Sequence, residues 1–330
     1  MKVEESAPGK IILSGEYAVL DGADAIILPT KQKACVSIEE GNSIENIFIS
    51  SAINGRFSFL VSKDYSVIWT EENPGKYGLF VESIFKQLKI NSSKKIIISI
   101  KTSDFYHDDI KLGIGSSSAI SVAIIRAFKQ FYNLEMNSST IMKNILNLHY
   151  ITQGFKGSGV DIACSYANTG LIEASINSVQ EQKWKKIIWP DKLYMEVIFT
   201  RKEVSTQSMI EQYMIIKKDE SIQELISHLI KITKIISTYW LNQDVTNILA
   251  SLNQYDLIMR KIDNLAKLDI FSSIHNEIYE LAKKDNIFYK PSGAGNSDIG
   301  IAFSESLDDM SRFLKSIKQT SKNALIVKVR

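Results

Sequence analysis

Cysteine is almost missing from this chain, which carries only Cys35 and Cys164. Two thiols so far apart in sequence furnish neither a zinc cluster nor a disulfide framework, and they read as ordinary buried residues. Histidine is nearly as scarce, with four in the chain, so no independent metal centre is expected. Charge of neither sign is in excess: 39 lysines and arginines face 37 aspartates and glutamates, a formal net charge of +2. A protein organised around a nucleic-acid backbone would concentrate basic residues on one face, and that balance argues against one. No apolar run comes near the ~18 residues of a membrane span. Met1-Lys2-Val3-Glu4-Glu5 leads to Pro8-Gly9 rather than to an apolar stretch. No signal peptide is therefore expected, and a reducing cytoplasm is the expected location. Internal repeats and low-complexity segments are missing too. These absences leave room for a globular protein with a local basic cleft for a small anion.

With 330 residues, 45% of them hydrophobic, the chain exceeds the usual single domain and predicts two packed domains. Its first third reads as short strands between turns. Apolar runs at 11–13 and 25–28 flank Asp21-Gly22, a strong turn signal. Further β-rich pieces follow at 34–38, 44–50, 57–61 and 96–100, and a helix is expected over 79–88. Behind Gly115 the period changes. Ile120, Ala123, Ile124, Ala127 and Phe128 share one helical face, and a second helix is expected over 139–151. After a strand at 193–200, helical patterns cover 221–241, 244–262 and 268–284. A loop over 290–298 then leads to a strand at 299–303, a helix at 308–318 and a closing strand at 324–329. Strands first, helices later and a final strand make the fold class α+β rather than a succession of βαβ units. Pro190, at a shift in polarity, marks the expected boundary between domains 1–190 and 191–330.

Three glycine-rich loops carry the chemistry. In Gly113-Ile114-Gly115-Ser116-Ser117-Ser118-Ala119, two glycines permit tight turns, three hydroxyls follow, and an apolar-faced helix begins at once. Such a loop points backbone N–H groups and a helix N-terminus at phosphate oxygens. Lys111 adds positive charge just before it; a plain helix cap is the bland alternative. Neither the Walker sequence nor the dinucleotide fingerprint is present, since Gly-Lys-Ser/Thr and a third glycine are both missing. The second loop, Gly154-Phe155-Lys156-Gly157-Ser158-Gly159-Val160-Asp161, delivers a carboxylate beside an apolar run. There Asp161 either orients and deprotonates an acceptor oxygen or caps a helix. The third loop, Lys290-Pro291-Ser292-Gly293-Ala294-Gly295-Asn296-Ser297-Asp298, is either a ligand floor or a turn. Near the start, Ala7-Pro8-Gly9-Lys10 sets a lysine at the mouth of a strand. Together the pieces supply what phosphoryl transfer needs: cations, backbone donors, hydroxyls, and a carboxylate to orient the acceptor.

Taken in order, these motifs resemble those of the GHMP small-molecule kinases, named for galactokinase, homoserine kinase, mevalonate kinase and phosphomevalonate kinase. Ala7-Pro8-Gly9-Lys10-Ile11-Ile12-Leu13-Ser14-Gly15-Glu16-Tyr17-Ala18-Val19 looks like motif one, 113–119 like motif two and 290–298 like motif three. The resemblance runs over essentially the whole chain. Gly15-Glu16-Tyr17, the loop 153–163 and Lys290-Pro291-Ser292-Gly293-Ala294-Gly295 are most similar to the phosphomevalonate kinase branch. The resemblance implies a two-domain α+β GHMP kinase fold, with an N-terminal domain like ribosomal protein S5 domain 2 and a ferredoxin-like C-terminal α/β domain. It implies ATP and Mg2+ as cofactors, a small anionic substrate, no nucleic-acid or membrane partner, and a monomer or homodimer.

Carried over residue by residue, Asp161 is the base or orienting carboxylate and Lys10 the cation beside the acceptor oxygen. Gly113, Gly115, Ser116 and Ser118 line the ATP phosphates, and Ser117 joins the magnesium environment. Ser292, Gly293, Ala294 and Gly295 form the floor between nucleotide and acceptor. Lys111, Lys202, Ser205, Thr206 and Lys290 are implied contacts to the phosphates of either substrate. The implied reaction converts 5-phosphomevalonate to 5-diphosphomevalonate with ATP. Mevalonate kinase, diphosphomevalonate decarboxylase and a silent metabolite-binding protein are the alternatives. Two departures stand out. Asn296-Ser297 replace glycines in motif three. The stretch 148–153 lacks a counterpart of the magnesium-binding glutamate of mevalonate kinase, and His149 within it reads as a packed helix residue.

Overall fold

Residues 2–40 fold into one long antiparallel hairpin, the spine of the N-terminal half. In the computed structural model, which describes residues 1–91, 94–154, 157–201, 206–296, 299–321 and 324–330, strand β1 (Lys2–Ser14) pairs with β2 (Ala25–Glu40). Polar Thr30 to Lys33 do not break β2 as their composition suggests. Their exposed and buried positions keep the strand going, so the runs expected at 25–28 and 34–38 are one element. The register slips between Pro8 and Lys10, a bulge centred on Gly9. A Cβ at Gly9 would lie 2.7 Å from the Phe105 ring and 2.9 Å from the Thr30 hydroxyl. Only glycine fits there. The bulge lets the Lys10 N–H donate to the Ile114 carbonyl at 2.7 Å, which ties motif one to motif two.

The N-terminal half continues through β3 (Asn46–Ser50), β4 (Gly55–Val61), β5 (Val67–Trp69), α1 (Gly78–Leu88) and β6 (Ile96–Lys101). A ribbon of β7 (Tyr106–His107) and β8 (Ile110–Lys111) precedes α2 (Ser116–Phe131), α3 (Ser138–Gln153) and α4 (Val160–Ala167). Then come β9 (Ile172–Ala174), α5 (Ile176–Glu181) and β10 (Lys185–Lys186). The sheet runs β10-β9-β2-β6-β3-β4-β5, with β1 also on β2, and the β3–β6 pair is parallel. Helices α2 and α4 pack on β1 and β2. The expected stripe on α2 is buried, and Ser121, Val122 and Ile125 are buried as well, so this helix runs through the core.

The C-terminal half comprises β11 (Tyr194–Phe199), α6 (Thr206–Ile216), α7 (Glu220–Leu241), α8 (Val245–Ala266), α9 (Ser273–Lys284), β12 (Phe288–Ser292), β13 (Ile299–Ser304), α10 (Leu307–Thr320) and β14 (Leu325–Val327). Its strands form an antiparallel sheet ordered β12-β13-β11-β14. The architecture is thus the expected two-domain α+β one, a mixed-sheet domain followed by a ferredoxin-like domain. Three details of the C-terminal half differ from expectation. Helix α6 was not foreseen. Helix α9 starts at Ser273 rather than 268, because Asp263 accepts the N–H groups of Ile270 and Phe271, both at 3.0 Å, and turns that segment aside. Lys290, Pro291 and Ser292, expected in a loop, complete β12 instead, where Pro291 is tolerated because β12 is an edge strand. Among the described residues no helix is long and apolar enough to cross a membrane.

Candidate active site

The three motifs meet at a cleft of about 790 Å3, part of it open to solvent. Lys10, Glu16 and Tyr17 come from motif one, Gly113 from motif two, and Ser292, Gly293 and Ala294 from motif three. His149 of α3, Ser158 and Asp161, and Ile210 of α6 complete its walls.

Local chain geometry sets each group. Gly159 begins α4 in the left-handed region (φ +75), with Leu146 only 2.9 Å from where a Cβ would stand. Asp161 therefore sits inside the first turn and is not the cap. Its Oδ1 accepts the Ile162 N–H at 3.0 Å, and its Oδ2 lies 3.1 Å from Nε2 of buried His149. Burial alone would raise the Asp161 pKa. The charge and hydrogen bond of His149, followed by the Lys10 charge, outweigh burial and hold the carboxyl at about 2. It is a carboxylate at any physiological pH.

Lys10 reaches across the cleft. A Cβ on Gly115 would stand 2.9 Å from Lys10 Cγ, and one on Gly293 would stand 3.9 Å from its Nζ. The side chain thus runs from motif two to motif three, and its ammonium has no ion pair among the described residues. Gly115 begins α2 at φ +84, and no side chain caps the first turn. An uncapped helix start of this kind can receive an anion. Among the described residues no three of His, Cys, Asp and Glu group to hold a metal. Cys35 and Cys164 are free thiols, and burial pushes the Cys164 thiol up, away from reactivity.

Known proteins share this fold and part of this sequence. A family model described as the GHMP kinases N terminal domain matches residues 77–169, which include motif two, His149 and Asp161. The structure of Streptococcus pneumoniae phosphomevalonate kinase, in complex with phosphomevalonate and AMPPNP, superposes with a TM-score of 0.76. That match covers 98% of each chain at 18% identity. Residues 77–169 are thus similar to the GHMP kinase N-terminal domain, and the chain has the two-domain GHMP kinase fold. Phosphomevalonate kinase of Streptomyces sp. strain CL190 is 26% identical over 172 residues, 48% of this chain and 46% of that enzyme. Mevalonate kinase of Pyrococcus furiosus is 29% identical over 163 residues, 49% and 48% of the two chains. Each match spans about half of the relative's length.

Several residues of this chain stand elsewhere than the motifs implied. Lys290 is not exposed to a phosphate: its ammonium is buried in an ion pair with Glu16 and donates to the Pro291 carbonyl at 3.0 Å. Ser118 turns inward, donating to the Gly115 carbonyl at 2.9 Å and accepting from Ser165 at 3.1 Å. Ser116 is buried, while Ser117 stays partly open at the helix start. Lys111 lies on β8, outside the cleft lining. Gly295 packs against Ile270, whose Cγ2 is 2.5 Å from a Cβ position there, so it supports the floor rather than forming it. Lys202 and Ser205 lie outside the described residues, as do Phe155, Lys156, Ser297, Asp298 and the Thr206 side chain; the Thr206 backbone starts α6. Sequence reasoning missed the cleft roles of His149, Glu16, Tyr17 and Ile210. Glu16 and Tyr17 stood in motif one without an assigned role, and His149 left one signal, a polar ring on the helix preceding the Asp161 loop.

Proposed function

We propose that this GHMP kinase transfers the γ-phosphoryl group of ATP to the phosphate of 5-phosphomevalonate, forming 5-diphosphomevalonate and ADP. The carrying observation is that Lys10 and Asp161 face one cleft whose opposite wall is Gly293. A phosphate oxygen of the acceptor attacks the γ-phosphorus, the bond to the β–γ bridging oxygen breaks, and ADP leaves with that electron pair. Two anions must approach, and like unit charges at ~4 Å repel by about 4 kcal/mol at an effective dielectric of about 20. Lys10 opposes that repulsion where the two substrates meet. The uncapped start of α2 suits the nucleotide phosphates. Magnesium commonly keeps several waters and takes substrate phosphates with few protein ligands, a demand that the Ser117 hydroxyl and a bound nucleotide fit.

Asp161, held below the usual carboxylate range, suits an orienting role better than that of a base. A general base works best with a pKa near the operating pH, and Asp161 is held at about 2. A phosphate monoester, with a second pKa of about 6, is already largely a dianion at pH 7 and has no proton to give up. Asp161 then serves as an orienting carboxylate for Lys10 and His149. The second reading, transfer to the hydroxyl of mevalonate, draws on the likeness to Pyrococcus furiosus mevalonate kinase. Offering phosphomevalonate, mevalonate and diphosphomevalonate in turn with Mg-ATP, while following ADP and carbon dioxide, separates the readings. One ADP per diphosphomevalonate is expected from phosphomevalonate. Preferential turnover of mevalonate would put the second reading in its place.

A further inference from the structure

The most deeply buried ion pair among the described residues lies behind the cleft, where Lys290 Nζ meets Glu16 Oε1 with side chains 4% and 5% exposed. Glu16 follows β1 and Lys290 belongs to β12, so the pair joins the two domains. Tyr255 of α8 donates to the Glu16 backbone carbonyl at 2.6 Å and stands 3.2 Å from its Oε2. Two more bonds cross the same seam on either side: Tyr17 Oη donates to the Ala294 carbonyl at 2.6 Å, and Ser292 Oγ to the Ile12 carbonyl at 2.7 Å. The chain that presents Glu16 is bent through uncommon backbone, Gly15 at φ +95 and Tyr17 at φ +59. A Cβ on Gly15 would fall 2.6 Å from the Asp24 carbonyl. All of these constraints converge on the cleft wall that faces Lys10.

A buried ion pair adds little stability over well-packed apolar side chains of similar volume, yet it tolerates few geometries. Stability is therefore a poor reason for this one. We propose that Glu16 and Lys290 are a positioning pair, fixing the Gly293–Ala294 backbone against the Lys10 ammonium across the seam and so setting where nucleotide and acceptor meet. This role rests on the kinase reading above.

The test is Glu16→Met with Lys290→Met in one chain, which removes both charges at similar volume. The expected double variant melts within about 5 °C of the wild type, while kcat for transfer from ATP to phosphomevalonate falls at least ~10-fold and KM for ATP moves less than about 3-fold. Amide exchange over 292–296 is expected to accelerate. Undiminished kcat in the folded double variant overturns the proposal. Should that variant not fold, Lys290→Arg keeps the charge and alters the geometry, and undiminished kcat there overturns it equally. A wild-type protein that phosphorylates no acceptor removes the kinase reading instead. Exchange over 292–296 then decides alone, and an unchanged rate in the variant sinks the pair.

Discussion

His149 and Asp161 show how one neighbour changes what a carboxylate can do. The folded Asp161 pKa, about 2, lies below its ordinary value of 3.8. Its pairing therefore stabilises the fold fully above pH ~3.8, and that contribution is lost as pH falls through about 2. At 1.36 kcal/mol per pH unit the contribution is roughly 2 kcal/mol. His149→Gln, which keeps a hydrogen-bond donor and drops the charge, is expected to raise the carboxyl pKa and move acid unfolding to higher pH. A carboxyl NMR titration of the variant that still ends near 2 would remove His149 as the cause. At this scale the sequence was legible where a glycine motif frames the residue, as at Lys10 and Asp161. It was illegible where a partner decides the role. Lys290 beside a glycine loop looks like a phosphate contact until Glu16, 274 positions away, is seen to hold it. His149 on an apolar helix looks like packing until α4 brings Asp161 against it.

Glycines do the equivalent work for the elements. Gly9 carries the bulge that docks β1 on the motif-two loop, and its Cβ position is blocked on three sides, by Ile114, Phe105 and Thr30. Gly9→Ala is expected to destabilise the protein by about 2–4 kcal/mol in urea unfolding, since backbone and ring must both yield. Gly22 is a useful contrast, with φ +87 and nothing within 4 Å of a Cβ. Gly22→Ala should cost only the left-handed strain, about 1–2 kcal/mol. Equal costs at the two sites would show that space at the bulge is not what requires glycine. Most elements were readable from periodicity, including the α2 stripe and the closing strands. The continuous β2 was not, because a polar run on a half-exposed strand resembles a turn. Helix α6 was not readable either: its apolar residues Met209, Ile210 and Tyr213 are turned to the core, the cleft and Asp21 by tertiary contacts that no local pattern displays.

For the molecule as a whole, the decisive feature is a seam between two domains, with Lys10 and Asp161 on one side of the cleft and Gly293 and Ala294 on the other. Tyr17 contributes one hydrogen bond across that seam, and its ring also packs at a tilt against Tyr213, 4.9 Å between centroids. Tyr17→Phe keeps the ring contact and should lose about 1 kcal/mol in chemical unfolding; no loss would mean that the bond to Ala294 contributes nothing. The two-domain α+β plan was legible from the order of strands, helices and glycine loops, whereas the contacts across the seam join residues too distant in sequence to be paired by eye. Convergence of Lys10 and Asp161 on one phosphoryl-transfer cleft is tested most directly by measuring phosphoryl transfer from ATP to phosphomevalonate for the wild type, Lys10→Met and Asp161→Asn, with nucleotide binding followed by calorimetry. Both variants are expected to bind nucleotide with nearly wild-type Kd while turnover falls at least ~100-fold. Wild-type turnover in either variant would contradict that convergence.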